Sequence, residues 1–158
     1  MAPEDRYDLT IEEEPERADV QRLLQGLDAH GWPITGPNPG RDLAVFLRDQ
    51  EGAIVAGLEG GTWSGWLSVR YLWVTDELRG QGWGRRIMDV AEQEAAARGC
   101  RHIRLDTMSY QARGFYEKLG FQVFAELDDY PGPHSMYLLR KDLPNSTWRS
   151  VTTLGDNR

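Results

Sequence analysis

The chain has 158 residues and a net charge of −7, a length that suits one domain around a single core. The acidic balance argues against nucleic acid or an anionic membrane as partner and is compatible with a cationic substrate. A lone cysteine, Cys100, permits no internal disulfide, no apolar run could span a bilayer, and the acidic N-terminus lacks a signal-peptide pattern, so the expectation is a cytoplasmic protein.

Residues 6–11 alternate polar and apolar and predict a short first strand. An acidic run with Pro15 leads into a helix over 18–30, with Val20, Leu23, Leu24 and Leu27 on one face and Gly31 ending it. Residues 32–40 carry three prolines and two glycines, which argues against a regular helix or central strand. Trp32 in that segment is a candidate to line a ligand cleft, with Ile34 helping, or else to tuck onto the core. Period-two patterning then predicts strands at 42–48, 53–58 and 66–74, an antiparallel meander with a glycine-rich reversal at 59–65.

A helix follows over 85–98, with Ile87, Met88, Ala91 and Ala95 at helical spacing and Gly99 where a C-terminal cap belongs. Cys100 reads as a small apolar residue between this helix and a strand at 102–107. A strand–helix–strand crossover of this length makes that strand parallel to 66–74. A second helix at 110–119 stops at Gly120, a strand follows at 121–126, a Pro/Gly-rich hairpin at 128–134, and a last strand at 136–139. The expected organisation is a single domain over 1–143 with a polar tail over 144–158.

The stretch Leu72-Trp73-Val74-Thr75-Asp76-Glu77-Leu78-Arg79-Gly80-Gln81-Gly82-Trp83-Gly84 is the centre of this plan. It reads as a strand end, a turn, a glycine-rich loop and the opening of a helix. Glycines just before a helix leave the first-turn N–H groups open and let an anion's oxygens approach the backbone. The helix dipole adds to the attraction, and Arg79, Arg85 and Arg86 add full charges. The loop therefore reads as a pyrophosphate cradle. A P-loop is excluded because Arg85-Arg86 stands where Lys followed by Ser or Thr is needed. The dinucleotide fingerprint stays a third choice: Asp106 sits about 20 residues on, where a ribose-binding acid would, but the third glycine comes one residue early and an antiparallel meander precedes the loop.

These residues resemble the GNAT superfamily of acetyl-CoA-dependent N-acetyltransferases. Arg79, Gly82 and Gly84 fit the family's Arg/Gln-x-x-Gly-x-Gly/Ala motif. Ala112, Phe115, Tyr116, Gly120 and Phe121 fit its second signature, Ala-x-x-Phe-Tyr-x-x-x-Gly-Phe. The order of elements agrees over roughly residues 6–143. Ser109 stands where many members carry an asparagine that contacts the pantetheine arm. The resemblance implies an α/β (α+β) fold with a mixed, mostly antiparallel sheet of six to seven strands flanked by helices. In that fold the fourth strand, here 66–74, carries a bulge and splays from the fifth to open the acetyl-CoA slot.

The resemblance further implies that Leu72, Trp73 and Val74 pair their backbone with the pantetheine amides. One backbone N–H there would polarise the thioester carbonyl, and N–H groups of Arg79, Gly80, Gln81, Gly82, Trp83, Gly84 and Arg85 would bind the pyrophosphate. Ser109 is a further contact candidate through its hydroxyl. Tyr116 matches the tyrosine that acts as general acid towards the leaving sulfur, a task a phenol suits because its ordinary pKa is about 10. The base is open among Glu77, Asp106, His134 and a water relay; imidazole, with an ordinary pKa of about 6.5, suits base work. His30, His102 and His134 show no metal spacing, so no metal is expected. The implied reaction moves acetyl from acetyl-CoA to a primary amine by direct attack in a ternary complex, and Trp32, Ile34, Trp63 and Tyr130 are candidates to wall the acceptor pocket. A non-catalytic acyl-CoA-binding module is the alternative, although it has no use for Tyr116. A homodimer is a tendency of the family.

Overall fold

The computed structural model describes residues 7–143; Arg6 of the expected first strand and the tail at 144–158 lie outside the described residues. The chain divides into two compact units, one up to Asn38 and one from Pro39.

Among the described residues the first unit holds one helix, α1 (Arg17–Thr35). The strand expected over 6–11 does not form: residues 7–11 have no regular structure, and Tyr7, Leu9 and Ile11 are exposed. An alternating pattern makes a strand only where a neighbour takes its backbone hydrogen bonds, and here none does. α1 also runs past Gly31 and through Trp32, Pro33 and Ile34, a segment expected to be irregular. Pro33 sits in the last turn, where its missing N–H removes only one backbone bond. The Gly36 N–H closes the helix on the Trp32 carbonyl at 2.8 Å, and the Thr35 hydroxyl donates to the Gly31 carbonyl at 3.3 Å.

The second unit contains β1 (Arg41–Arg48), β2 (Ile54–Trp63), β3 (Trp66–Val74), α2 (Trp83–Ala97), β4 (His102–Met108), α3 (Arg113–Lys118), β5 (Gln122–Leu127) and β6 (Met136–Asp142). The strands form one sheet in the order β1-β2-β3-β4-β6-β5. Only the β3–β4 pair is parallel, as the crossover through α2 requires. The sheet is thus mixed and mostly antiparallel.

β2 is longer than its pattern suggests. Residues 59–63 continue the strand instead of reversing it, and the reversal is confined to Ser64-Gly65, a two-residue turn. On the preceding hairpin, Asp49 Oδ1 accepts the N–H groups of Glu51 and Ala53, both at 2.9 Å. α3 is shorter than the expected 110–119. Gln111 turns back on β4, accepting the Met108 N–H at 2.9 Å and the Thr107 hydroxyl at 3.2 Å, and this holds residues 109–112 outside the helix.

α2 lies on β1, β2 and β3 with Ile87, Met88, Ala91 and Ala95 buried, the four positions read from its periodicity. They meet Ala56, Leu58, Leu67, Val69, Ile103, Leu105 and Leu139 in one core. Each large side chain there contributes roughly 1.5–3 kcal/mol on burial, and the alanines let the helix axis come close to the sheet. The helix ends in a Schellman arrangement, with the Gly99 N–H on the Ala96 carbonyl and the Cys100 N–H on that of Ala95, both at 2.9 Å. Arg98 ties this end to the sheet, donating to the Asp42 carbonyl at 2.9 Å and to Thr62 Oγ1 at 3.3 Å. Cys100 is buried in the core, and burial pushes its thiol pKa up, so it packs and does not react.

Candidate active site

The β3–β4 joint is short. Trp66, Leu67 and Ser68 pair with His102, Ile103 and Arg104, and beyond them the two strands part. β3 stays paired with β2 as far as Val74 opposite Ala56, and β4 with β6 as far as Met108 opposite Met136. The gap therefore has two supported walls, and the β4-facing backbone of β3 beyond Ser68 has no strand partner. Leu72, Trp73 and Val74 lie along this open edge.

A bulge sets the phase of that edge. Gly60 pairs with Val69 and Glu59 with Tyr71, which leaves Arg70 as an extra residue on β3. Before it, Leu67 and Val69 are buried; after it, Leu72 and Val74 pack against the core while Tyr71 and Trp73 are exposed. Were Arg70 paired in a regular strand and not bulged out, Leu72 and Val74 would point away from the core. Gly60 is obligatory here, because a Cβ would stand 2.3 Å from the Ser68 carbonyl oxygen. The Arg70 guanidinium lies back over β2, with Nε donating to both Glu59 oxygens at 3.1 and 2.9 Å and Nη2 to the Gly60 carbonyl at 2.9 Å. This contact holds the Glu59 carboxyl below its ordinary pKa.

The strand end leads into a short 3-10 turn, Asp76–Leu78, and then the glycine loop. The Arg79 side chain is used internally: Nε donates to the Val74 carbonyl at 3.1 Å, and Nη1 meets Asp76 Oδ1 at 2.7 Å. Gln81 Nε2 donates to the Glu77 carbonyl at 2.8 Å. The Thr75 hydroxyl donates to the Glu77 carboxylate at 2.5 Å and holds its pKa below the usual range, which makes it a weak base. The first helical bond of α2 runs from the Arg86 N–H to the Gly82 carbonyl, so the N–H groups of Trp83, Gly84 and Arg85 lie ahead of the ladder. Gly82 caps the helix at φ +83°, and a Cβ there or at Gly80 would meet nothing within 4 Å. Gly84 differs: its Cβ would stand 3.1 Å from Phe115 Cζ, so its smallness lets α2 and α3 meet. Arg86 stacks over the Trp83 ring at 4.9 Å, and Arg85 makes no ion pair among the described residues.

α3 supplies Tyr116, only 8 % exposed, with its ring edge-on to Phe115 and Phe121 at 5.1 and 5.8 Å. Among the described residues every fully buried side-chain nitrogen or oxygen has a hydrogen-bond partner. Among the described residues no hydrogen bond engages the Tyr116 hydroxyl, which is therefore the uncovered tip of a buried ring. Burial, helped by the negative charge of Asp106, pushes this phenol up to about 12, so it remains a proton donor across the neutral range.

At the end of β4 the structure brings Ser109, Tyr110, Tyr130 and His134 together. Ser109 Oγ accepts the Ser135 N–H at 3.2 Å and lies 3.3 Å from His134 Nδ1. The Tyr110 and His134 rings meet edge-on at 4.9 Å, and the Tyr130 N–H donates to the His134 carbonyl at 2.7 Å. The Ser109 hydroxyl thus holds the β5–β6 hairpin. Trp63 is not part of this group. It pairs with Trp66 at the end of β3 remote from the glycine loop, beside a shallow cavity of about 540 Å³ lined also by Ser68, Arg104, Phe124 and Arg140. Trp32 and Ile34 lie in α1, in the first unit, both exposed. Sequence reasoning missed Arg70, although the apolar series Leu67, Val69, Leu72, Val74 contains a step of three that marks the bulge.

A family model described as an acetyltransferase (GNAT) domain matches residues 41–123. The chain is 36 % identical over 125 residues to the acetyltransferase Atu2258 of Agrobacterium fabrum, covering 78 % of this chain and 91 % of that protein. It is 35 % identical over 114 residues to the blasticidin-S acetyltransferase of Streptomyces morookaense, covering 70 % and 82 % respectively. An acetyltransferase crystal structure from Bacillus cereus superposes with a TM-score of 0.75 at 27 % identity, over 85 % of this chain and 98 % of that one. The open strand pair, the glycine loop and these relatives lead to one assignment: the chain belongs to the GNAT acetyltransferases, enzymes that use acetyl-CoA.

Proposed function

We propose that the chain transfers acetyl from acetyl-CoA to a primary amine, on a small molecule or a peptide N-terminus, by direct attack in a ternary complex. The Tyr116 hydroxyl carries this reading, because its ring is buried while its oxygen stays accessible and free of protein partners among the described residues, ready to donate to a departing sulfur. The open edge at Leu72, Trp73 and Val74 offers backbone groups to the pantetheine amides and an N–H to the thioester oxygen. The N–H groups of loop 79–85 offer a site to the pyrophosphate, at the positive end of α2.

In the reaction the amine nitrogen attacks the thioester carbonyl carbon, the carbon–sulfur bond breaks, and Tyr116 gives its proton to the departing sulfur. The amine's own proton goes to a base. Glu77 is the weakest candidate, because Thr75 already engages its carboxylate. His134, beside Ser109 and Tyr130, and Asp106, near enough to influence Tyr116, are the stronger ones. Similarity to a blasticidin-S acetyltransferase puts small-molecule amines first among acceptors.

The test is free-thiol release from acetyl-CoA against a panel of amines that includes blasticidin S and short peptides. Amine-dependent release that drops about 100-fold in kcat in Tyr116→Phe is the expected result, a typical size for a general acid. Undiminished turnover in that variant would remove Tyr116 from the chemistry.

A further inference from the structure

The bulge at Arg70 sets which backbone groups of β3 line the open edge, so what holds that bulge bears on the slot. A bulge in the middle of a sheet interrupts the ladder, and without support the strand can slip by one residue. Here two observations converge on the bulge. Gly60 leaves the space that lets the Ser68 carbonyl approach β2. Arg70 itself grips the strand opposite, donating through Nε to both Glu59 oxygens and through Nη2 to the Gly60 carbonyl, and it reaches Asp42 on β1 at 3.3 Å.

We infer that Arg70 is a positioning residue for acetyl-CoA: by clamping its own bulge onto Glu59 and Gly60 it fixes which backbone groups of residues 71–74 face the slot. Strand groups alternate in direction, so a one-residue slip would turn the edge N–H groups away from the gap and replace them with those of the neighbouring residues. Arg70 acts at a distance from the reacting atoms. It touches β1 and β2, and its effect on the substrate passes through the backbone. Arginine suits the task because its rigid planar fork holds a carboxylate and a carbonyl in fixed directions, whereas a lysine offers a point charge on a flexible stem. This inference rests on the acetyl-CoA slot proposed above.

The experiment is calorimetric titration of the full chain with acetyl-CoA, alongside thermal melting. The expected result is that the wild-type chain binds and that Arg70→Ala binds about tenfold more weakly, the scale of one lost slot hydrogen bond. Glu59→Gln, which keeps the acceptor oxygen but loses the charge, falls between the two. Lys141→Ala breaks the ion pair between Lys141 and Glu92 that joins β6 to α2, and serves as a control for stability alone. It lowers the melting temperature while leaving acetyl-CoA affinity within twofold of wild type. Affinity in folded Arg70→Ala equal to wild type overturns the inference, as does a loss of affinity in Lys141→Ala as large as that in Arg70→Ala. If Arg70→Ala fails to fold, Glu59→Gln decides: weakened binding supports the clamp and unchanged binding overturns it. Absence of binding by the wild-type chain would instead overturn the slot reading itself, and this inference with it.

Discussion

In β2 a methyl group on Gly60 would stand 2.3 Å from the Ser68 carbonyl oxygen, whereas on Gly82 it would meet nothing within 4 Å. Both glycines belong to clusters, 57–61 and 80–84, that look alike as composition. The first cluster is closed: Gly57 and Gly60 exist because another strand comes too near for a side chain. The second is open: Gly80 and Gly82 take a left-handed backbone so that the chain can curl into the helix with its N–H groups outward. Glycine at close approach builds a wall, and glycine at positive φ builds a rim.

Substitution to alanine separates the two uses. Gly60→Ala should have the largest effect, since backbone atoms cannot yield: a loss of about 3 kcal/mol, read as a fall of roughly 10 °C in melting temperature. A fall no larger than that of Gly82→Ala would break the distinction. Gly84→Ala should come next, at about 1–2 kcal/mol, because its Cβ would press on the end of the Phe115 ring, which can shift. Gly82→Ala should cost least in stability, about 1 kcal/mol of backbone strain, yet it should raise the KM for acetyl-CoA by altering the rim.

The buried ring of α3 also carries a titration. Tyr116 has its pKa raised to about 12 in the folded chain against about 10 when unfolded, so the folded state disfavours the phenolate. The stabilisation is complete below pH 10 and is lost as pH rises towards 12. Melting temperature should therefore fall more steeply in that window for the wild-type chain than for Tyr116→Phe. Parallel curves would mean that the hydroxyl is better solvated than its burial indicates.

Much of the second unit was legible in the sequence because its elements are strongly periodic. Ile87, Met88, Ala91 and Ala95 marked α2, the alternation over 42–48 marked β1, and the glycine loop and Tyr116 stood out as motifs in context. The errors have separate physical causes. Residues 7–11 alternate like a strand but find no partner. Gly31 and Pro33 read as stops, although a proline in the final turn breaks little. Gly60-Gly61 read as a reversal because a bulge and a turn both call for glycine, and what tells them apart is the neighbouring strand. The grip of Arg70 on Glu59 depends on register across two strands, which no local pattern contains.

The joint between β3 and β4 has a mechanical consequence. Among the described residues it is the only ladder connecting β1-β2-β3 to β4-β6-β5, and the Arg104 Nε donates to Ser68 Oγ across its last rung at 2.8 Å. The sheet is in effect an opened book, two three-stranded leaves sewn along a short spine. A guest sliding between the leaves has no pages to tear apart. By offering amides to the bare margins, it would bind the book more firmly than the empty volume is bound.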